Sequence, residues 1–288
     1  MTRALTVLAT GPLALVQDLG RPGNAHLGVP PSGALDEPSL RLANRLVGNP
    51  EDAAGIETVL GGLRVRASAP CTVAVTGPSV SVRLDGLLVD SHSPLFLGAG
   101  AELEIGSPWR GLRCYLAVSG GVAVDRQLGS RSTDILSGIG PAPLRVGDVL
   151  PLGAVVEVPV GADVVCAVRA PEELVVPLLL GPREDWFADV TARLAGAVWS
   201  VSPESNRVGL RLLGEPLRRT SEFDGRELVS EGLVTGAVQV PASGLPVIFL
   251  SDHPTTGGYP VVGVVPAAHL AALAQARPGT RVRLRPST

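Results

Sequence analysis

Alternation of apolar and polar residues at every second position recurs along this chain and predicts short, half-buried β-strands. The clearest examples are LRVRA (63–67), VSVRLDG (80–86), AELEIG (101–106), VVEVPV (155–160) and TRVRLRP (280–286). Such runs are typical of antiparallel sheets that cover one face and leave the other in water. A wholly apolar run, GLPVIFL (244–250), indicates a strand that is covered on both faces.

Helical spacing occurs in three segments. In the first, Asp36 can cap the helix, Pro38 suits the first turn and Gly48 can end it. The other two are EDWFADVTARLAG (184–196) and PAAHLAALAQARPG (266–279). Many short strands with a few short helices predict a mostly β protein built of antiparallel barrels or sandwiches, not a doubly wound parallel sheet.

The length of 288 residues suits one large or two mid-sized domains. RVGDVLPLGAVVEVP (145–159) closes one block of strands, and VRAPEELVVPLLLGPRED (168–185) begins another. We therefore place the boundary in this region and predict an N-terminal β domain over 1–165 and a C-terminal β domain over 166–288.

Composition excludes several partners and mechanisms. The formal net charge of −3 provides no electrostatic footprint for nucleic acid or for an anionic membrane. No Lys occurs, which excludes a Schiff-base lysine, a lysine general base and a P-loop lysine, although a GC-rich genome alone would favour Arg codons. No run of about 18 uncharged apolar residues is present to span a membrane.

Cysteine and histidine placement gives no metal pattern. Cys71, Cys114 and Cys166 are far apart among apolar neighbours, so we expect core residues or inert thiols. An odd cysteine count without a signal-like segment favours a reducing, cytoplasmic location, and the apolar run before Gly11 is predicted to be a first strand. The four histidines lack zinc-binding spacing. Motifs of serine hydrolases and dinucleotide-binding folds are absent as well.

Two irregular stretches of the N-terminal half carry candidate anion-binding groups. QDLGRPGNAHLGVPPSGALD (17–36) contains Arg21, a natural clamp for a carboxylate. Alternatively, Arg21 pairs with the acidic residue three positions earlier and fixes the loop. GSRSTD (129–134) places Arg131 and Ser132 in a glycine-led turn that could hold an anion, with turn capping by the hydroxyl groups as the alternative.

Two further stretches lie in the C-terminal half. Glu231 stands before GLVTGAVQV and could place a carboxylate at a strand start, or form a surface salt bridge. SDHPTTGGYP (251–260) joins two apolar runs and is dense in hydrogen-bonding groups, more than a plain hairpin requires. Asp252 can accept a hydrogen bond or act as a base. The groups that can bind a ligand by donation are Thr255, Thr256, Gly257, Gly258 and Tyr259.

Five ordered motifs resemble one family over nearly the whole chain. They are VQDLGRPG…GVPPSGALD…ANRLVGNP…AAGIE, YLAVSGGV…LGSRSTD, SNRVGLRL.G, SEGLVTGAVQVP..G.P and D..TTGGYP. The chain thereby resembles the C subunit of bacterial 5-oxoprolinase, also called allophanate hydrolase subunit 2 or Kip-antagonist-like protein. It is also similar to part of the carboxyltransferase domain of urea carboxylase.

The resemblance implies tandem cyclophilin-like barrels and a B-subunit-like partner (allophanate hydrolase subunit 1-like). A third, A-subunit-like protein would join in the complex that opens 5-oxo-L-proline to glutamate. ATP would be required by that complex, and we expect no cofactor bound by this chain alone. Many members carry Lys after TTGGYP and Gln before the Thr pair, where this chain has Val261 and Pro254. If that Lys helps to bind the substrate or a biotin-linked carboxyl group, this chain must use an arginine instead or has a changed substrate.

We accordingly predict one subunit of a hetero-oligomeric amidohydrolase with a pocket formed by loops 17–36, 129–134 and 252–259. Arg21 or Arg131 would clamp the substrate carboxylate, and Asp252 or Glu231 would move protons. The backbone amides of 257–258 with Thr256 would bind the developing oxyanion. Two alternatives remain open: a non-catalytic regulator that binds a B-subunit-like kinase inhibitor, and a biotin-dependent carboxyltransferase module.

Overall fold

The computed structural model describes residues 3–159, 165 and 171–287, so Cys166 lies outside the described residues. The chain divides into two compact units. The first comprises Met1–Arg21, Ser32–Asp134 and Gly138–Ala170, and the second comprises Pro22–Pro31, Ile135–Ser137 and Pro171–Thr288. The main division thus falls at 170/171, beside the 165/166 boundary drawn from the sequence. No local pattern indicates that two short segments of the N-terminal half group with the second unit.

The described strands of the first unit form two antiparallel sheets. In chain order they are β1 (Ala4–Thr10), β2 (Leu13–Gln17), β3 (Gly55–Val59), β4 (Leu63–Ala67), β5 (Cys71–Thr76), β6 (Val82–Leu84), β7 (Leu87–Val89), β8 (Leu95–Leu97), β9 (Glu102–Ile105), β10 (Arg113–Val118) and β11 (Val149–Pro151). One sheet has the order β11-β1-β4-β9-β6-β7, and the other has the order β2-β3-β10-β5-β8.

The core of the first unit follows from the alternation in the sequence. On β4, Leu63, Val65 and Ala67 are fully buried, whereas Arg64 and Arg66 are exposed. Inward-facing residues of both sheets belong to one hydrophobic cluster. Each such aliphatic side chain contributes about 1.5–3 kcal/mol when it leaves water, so the pattern itself specifies which face turns inward.

Helix α1 (Glu37–Leu46) begins where the sequence predicts. The Asp36 carboxylate accepts from the backbone N–H of Ser39 at 3.2 Å and from its hydroxyl at 2.8 Å. Leu40 and Ala43 are buried, so the apolar face of the helix points inward. The capping carboxylate adds an acceptor in the first turn, where amides lack partners four residues earlier, and stabilises this end by about 1 kcal/mol.

A buried polar network fastens the start of α1 to the second sheet. The Tyr115 hydroxyl accepts from the backbone N–H of Asp36 at 2.8 Å and donates to Glu57 Oε2 at 2.7 Å. Glu57 Oε2 also accepts from the backbone N–H of Leu35, and Arg113 faces the other carboxylate oxygen at 3.5 Å. Burial, followed by the charges of Glu57 and Asp36, raises the pKa of Tyr115 well above its ordinary value of 10.0.

The second unit contains a closed barrel. The described strands of this unit are β12 (Glu173–Leu180), β13 (Trp199–Val201), β14 (Gly209–Leu213), β15 (Glu231–Gly232), β16 (Ala237–Gln239), β17 (Val247–Phe249), β18 (Thr256–Gly257), β19 (Val261–Val264) and β20 (Arg281–Ser287). The barrel order is β12-β19-β16-β17-β14-β13-β20, in which β12 and β20 pair in parallel. Strands β15 and β18 form a separate two-stranded sheet.

Short helices complete the described secondary structure. They are α2 (Val190–Gly196) and α3 (Leu270–Ala274), with 3₁₀ turns at Ala25–Leu27, Glu184–Trp186 and Ala267–His269. None of the helices in the described part of the chain combines the length and hydropathy that a bilayer span requires.

The predicted mostly β class with a few short helices is confirmed, and so are the strands predicted at 63–67, 80–86, 101–106 and 280–286. The helix predicted over 184–196 is interrupted at Asp189, whose φ of 49° lies in the left-handed region. The helix predicted over 266–279 is likewise shorter, because a 3₁₀ turn precedes α3.

The strand predicted at 155–160 is wrong for residues 155–159, which form no strand. Val155, Val156 and Val158 are 52%, 64% and 81% exposed, so no segment of the described chain buries the apolar face that the alternation implies. Residue 160 lies outside the described residues. Alternation predicts a strand only when a partner strand is present to pair with it.

The raised pKa of Tyr115 predicts a loss of stability at high pH. The unfolded chain releases this proton near pH 10.0, whereas the folded chain holds it to higher pH. The contribution is therefore complete below about pH 10 and is lost as the pH rises through the folded value. Urea denaturation at about pH 8 and about pH 11 should show a smaller alkaline loss for Tyr115→Phe than for the wild-type chain. Equal losses in both proteins would contradict the assignment.

Candidate functional site

Asp18 organises the loop 129–134 in the first unit. Its carboxylate accepts hydrogen bonds from the hydroxyl groups of Ser130 and Ser132, both at 2.6 Å. It also accepts from the backbone N–H of Arg131 at 2.6 Å and from that of Gly20 at 2.8 Å. A buried carboxylate with this many donors is fully satisfied, so it holds two chain segments together.

The guanidinium groups of this region bind backbone carbonyls. Arg21 is 2% exposed, and it donates from Nη2 to the carbonyl oxygen of Ser132 and from Nε to that of Gln127 at 3.4 Å. Arg131 donates from Nε to the carbonyl oxygen of Val124 at 2.7 Å. These contacts fix the loops. A substrate-binding role of Arg21, Arg131 and Ser132 stays a prediction that these contacts do not support.

A buried ion pair holds the start of the loop 252–259 in the second unit. Arg207 donates from Nε to Asp252 Oδ2 at 2.9 Å and from Nη2 to Oδ1 at 3.0 Å. The two side chains are 1% and 0% exposed. The backbone N–H of Asp252 donates in turn to the carbonyl oxygen of Arg207, and Oδ2 also accepts from the N–H of Ile135. Both carboxylate oxygens are engaged, so proton transfer by Asp252 stays a prediction without geometric support.

Glu231 lies in an ion pair with Arg183 and is about one-third exposed. It opens β15 and pairs with Gly257 of β18. The hydrogen bond from Arg183 lowers the pKa of the Glu231 carboxyl below its ordinary value, and the same contact raises the pKa of Arg183. Glu231 is therefore a carboxylate near neutral pH, and its part in proton transfer stays a prediction.

Gln239 of β16 holds the end of the loop 252–259. Its Nε2 donates to the carbonyl oxygen of Tyr259 at 3.0 Å. A Cβ on Gly257 would lie 2.7 Å from this Nε2 and 2.8 Å from Leu233 Cδ1, closer than real side chains pack. The absence of a side chain at Gly257 therefore lets the loop lie against Gln239, and Tyr259 remains 47% exposed.

Gly258 and Tyr259 line an open cavity of about 1160 Å³ within the second unit. Its other wall is the irregular segment 216–228, together with the turn 241–244. The charged residues that line it are Arg218, Arg219, Arg226, Asp224 and Glu227. Two of the predicted binding residues thus meet a set of arginines that no recognised motif indicates. The sequence does contain a feature that could have indicated these arginines. LRRTSEFDGRE (217–227) is a charge-dense segment without strand or helix periodicity, as functional loops often are.

Stacked aromatic rings hold this segment in place. The rings of Trp186 and Phe223 lie 4.5 Å apart with an interplanar angle of 11°. Arg219 lies over Trp186 at 5.3 Å, and Arg226 lies over Phe223 at 5.5 Å. Arg219 Nη1 also donates to the carbonyl oxygen of Arg226 at 2.6 Å. Two of the three arginines therefore stabilise their own segment.

At the two positions where this chain departs from the expected motif, the residues present make contacts within the fold. Val261, where the resemblance leads one to expect Lys, is 7% exposed and packs in a cluster with Leu233, Ala237 and Phe249. The carbonyl of Pro254 is bonded to His253 Nδ1 at 2.7 Å. Positive charge in this unit's cavity thus comes from the arginines of 216–228.

The predicted site residues fall in both units. Arg21, Arg131 and Ser132 belong to the first unit, and the predicted residues from 231 to 259 belong to the second. The common pocket of the three loops stays a prediction. Within the second unit, Gly258 and Tyr259 line the cavity, and Thr256 and Gly257 form β18 beside it. Across the described residues no cluster of three metal-ligating side chains occurs.

The fold is a mostly β chain of two units, and the second unit carries an arginine-lined cleft. Residues 27–286 match the family of the carboxyltransferase domain, subdomain A and B, and the chain belongs to this family.

Comparison with individual proteins shows which members of the family this chain is similar to. The chain is 39% identical to the 5-oxoprolinase C subunit of Escherichia coli over 94% of its own length and 87% of that protein. The urea amidolyase of K. lactis superposes with a TM-score of 0.91 at 30% identity, over 99% of this chain and 19% of that chain. The solved protein TTHA0988 has a TM-score of 0.88 at 37% identity, over 98% of this chain and 56% of that chain. The chain thus spans about a fifth of the urea amidolyase and about half of TTHA0988.

Removing the Asp252 carboxylate should destabilise the second unit strongly. Asp252→Ala leaves the buried Arg207 charge without its main partner, which costs about 3–5 kcal/mol. Urea denaturation measures the change, and Asp224→Ala, which removes an exposed carboxylate, is the matched control. An Asp252→Ala protein as stable as the control would show that the pair does not hold the loop.

Loss of the ring stack should free the segment 216–228. We expect Phe223→Ala to speed tryptic cleavage after Arg219 and Arg226, because the stack on Trp186 and the cation–π contact of Arg226 both use the Phe223 ring. Limited proteolysis followed by mass spectrometry detects these cuts. Trp109→Ala, which removes an aromatic ring that is 84% exposed, should leave the cleavage pattern of this segment unchanged. Equal cleavage rates in both variants would contradict the anchoring role.

Proposed function

We propose that this chain is one subunit of a hetero-oligomeric, ATP-dependent hydrolase that opens 5-oxo-L-proline to L-glutamate. Water adds to the lactam carbonyl, the ring C–N bond breaks, and the ring nitrogen receives a proton. ATP hydrolysis by the complex drives the opening. The observation that carries the proposal is the 39% identity to a 5-oxoprolinase C subunit over almost the full length of both chains.

The cavity of the second unit supports a carboxylate-bearing substrate. Its wall combines guanidinium groups with the Tyr259 hydroxyl and the backbone of Gly258. Guanidinium groups bind carboxylates with matched geometry, and backbone N–H groups stabilise developing negative charge on a carbonyl oxygen. We assign the oxyanion to the Gly258 amide and the exposed Thr256 hydroxyl, in keeping with the prediction from the sequence.

Cavity size supports a role within a complex. A volume of about 1160 Å³ exceeds the usual range of about 300–1000 Å³ for pockets that enclose drug-sized ligands, and 5-oxoproline is smaller still. The cleft is also open to solvent, whereas closure of an active site admits only the reacting water and prevents unproductive hydrolysis of reactive intermediates. We therefore propose that a B-subunit-like partner closes the cleft, with an A-subunit-like protein as the third component.

A second candidate is a biotin-dependent carboxyltransferase module. The family match and the superposition on urea amidolyase favour it. In that case a carboxylated biotin carried by another protein would bring its carboxyl group to this chain, and the same arginines would bind the carboxylate.

Co-purification with the B-subunit-like and A-subunit-like partners, followed by an ATP-dependent 5-oxoproline assay, tests the proposal. We expect glutamate formation that requires this chain and falls about 10-fold in Tyr259→Ala, because a side chain of the cleft wall is lost. Val229→Ala, an exposed position that does not line the cleft, should retain full activity. Carboxyl transfer from carboxybiotin without glutamate formation would replace the proposal with the second candidate.

A further inference from the structure

The three arginines of the cleft are not equivalent. Arg219 is committed to Trp186 and to the carbonyl oxygens of Phe223 and Arg226. Arg226 is committed to the ring of Phe223. The remaining one, Arg218, is exposed in the cavity wall, and within the described part of the chain its guanidinium contacts no carboxylate, carbonyl or ring.

The backbone around Arg218 is held on both sides, which limits where its side chain can go. The carbonyl oxygen of Arg218 accepts from the N–H of Ala188 at 3.1 Å, and the N–H of Leu217 donates to the carbonyl oxygen of Gly244 at 2.9 Å. Leu217 is buried, whereas Arg218 beside it is exposed. A guanidinium on a fixed backbone loses less freedom on binding than one on a mobile loop.

Acidic groups in the same wall restrict the ligand class. Asp224 and Glu227 are exposed and line the cavity with Arg218. Carboxylates repel a polyphosphate, but they accept hydrogen bonds from an N–H group or pair with an ammonium group. The combination suits a small molecule that carries a carboxylate beside a nitrogen with hydrogen, as a lactam acid and its α-amino acid product both do.

We infer that Arg218 is the carboxylate-recognition residue of this cleft, and that Asp224 or Glu227 accepts from the nitrogen of the same ligand. The inference rests on the proposed function for the identity of the ligand, and it concerns a residue that carries out binding rather than bond cleavage. Arg219 and Arg226 are positioning residues that keep the segment 216–228 in place through the ring stack.

Calorimetric titration of the full chain, alone and with its co-purified partners, tests the inference with 5-oxo-L-proline and with 2-pyrrolidinone, which lacks the carboxylate. Arg218→Gln should weaken binding of 5-oxo-L-proline about 10- to 100-fold, because charge-assisted hydrogen bonds are lost. The same variant should leave binding of 2-pyrrolidinone unchanged. Arg218→Lys should recover part of the affinity, since a point charge replaces a planar fork.

Arg211→Gln is the matched control, because Arg211 is an exposed arginine of β14 that does not line the cavity. Wild-type affinity in Arg218→Gln would overturn the inference, as would binding of ATP that depends on Arg218, or the absence of 5-oxo-L-proline binding with and without partners. Binding that depends on Arg218 in a complex that forms no glutamate would support this inference and contradict the proposed function. Turnover of 5-oxo-L-proline that is insensitive to Arg218→Gln would support the proposed function and contradict this inference.

Discussion

The buried link between Arg207 and Asp252 is the constraint on which the second unit's cleft depends. It joins the two side chains through two hydrogen bonds and the two backbones through a third. In a medium of low dielectric constant an unpaired charge is costly, so the pair specifies one geometry for the chain at residue 252. The loop that starts there ends at Tyr259, whose carbonyl Gln239 holds. Both ends of the loop are therefore fixed, and Gly258 and Tyr259 are presented at one place.

The opposite wall of the cleft, the segment 216–228, is held by a different set of interactions. The segment 216–228 has no helix or strand, so its position comes from the Trp186–Phe223 stack, the arginines over each ring and backbone hydrogen bonds at Leu217, Arg218 and Thr220. The ring contacts contribute about 0.5–1.5 kcal/mol each and act together with these backbone hydrogen bonds. A chain without Lys has to divide its arginines between structure and ligand binding. Arg207 serves structure, and Arg218 is left for the ligand.

The sequence predicts what local rules determine. Alternation at 63–67 and 280–286 gives β4 and β20, and Asp36 with Pro38 gives the start of α1. Sequence patterns fail where long-range partners decide, as at 155–159, which has the pattern of a strand but pairs with no strand in the described part of the chain. The family resemblance is specific because five motifs occur in order, and the family match confirms it.

Site residues are harder to predict than the fold. Gly258 and Tyr259 stand out because a loop with so many donors exceeds the needs of a hairpin. Asp252 resembles a base, but no local signal shows that Arg207, far away in sequence, binds both of its oxygens. Arg218 could not be predicted from the sequence because it lies in a charged segment that resembles ordinary solvated surface. The difference between a committed and an uncommitted guanidinium appears only when the side-chain partners are known.

In the proposed binding mode, a small carboxylate lies between the segment 216–228 and the turn at Gly258–Tyr259. Titration of the ¹⁵N-labelled chain with 5-oxo-L-proline, followed by amide chemical shifts, tests it most directly. We expect the largest saturable shifts to cluster at 217–228, 243–244 and 258–259. Saturable shifts confined to the loop 129–134 of the first unit, with none along the cleft, would contradict it.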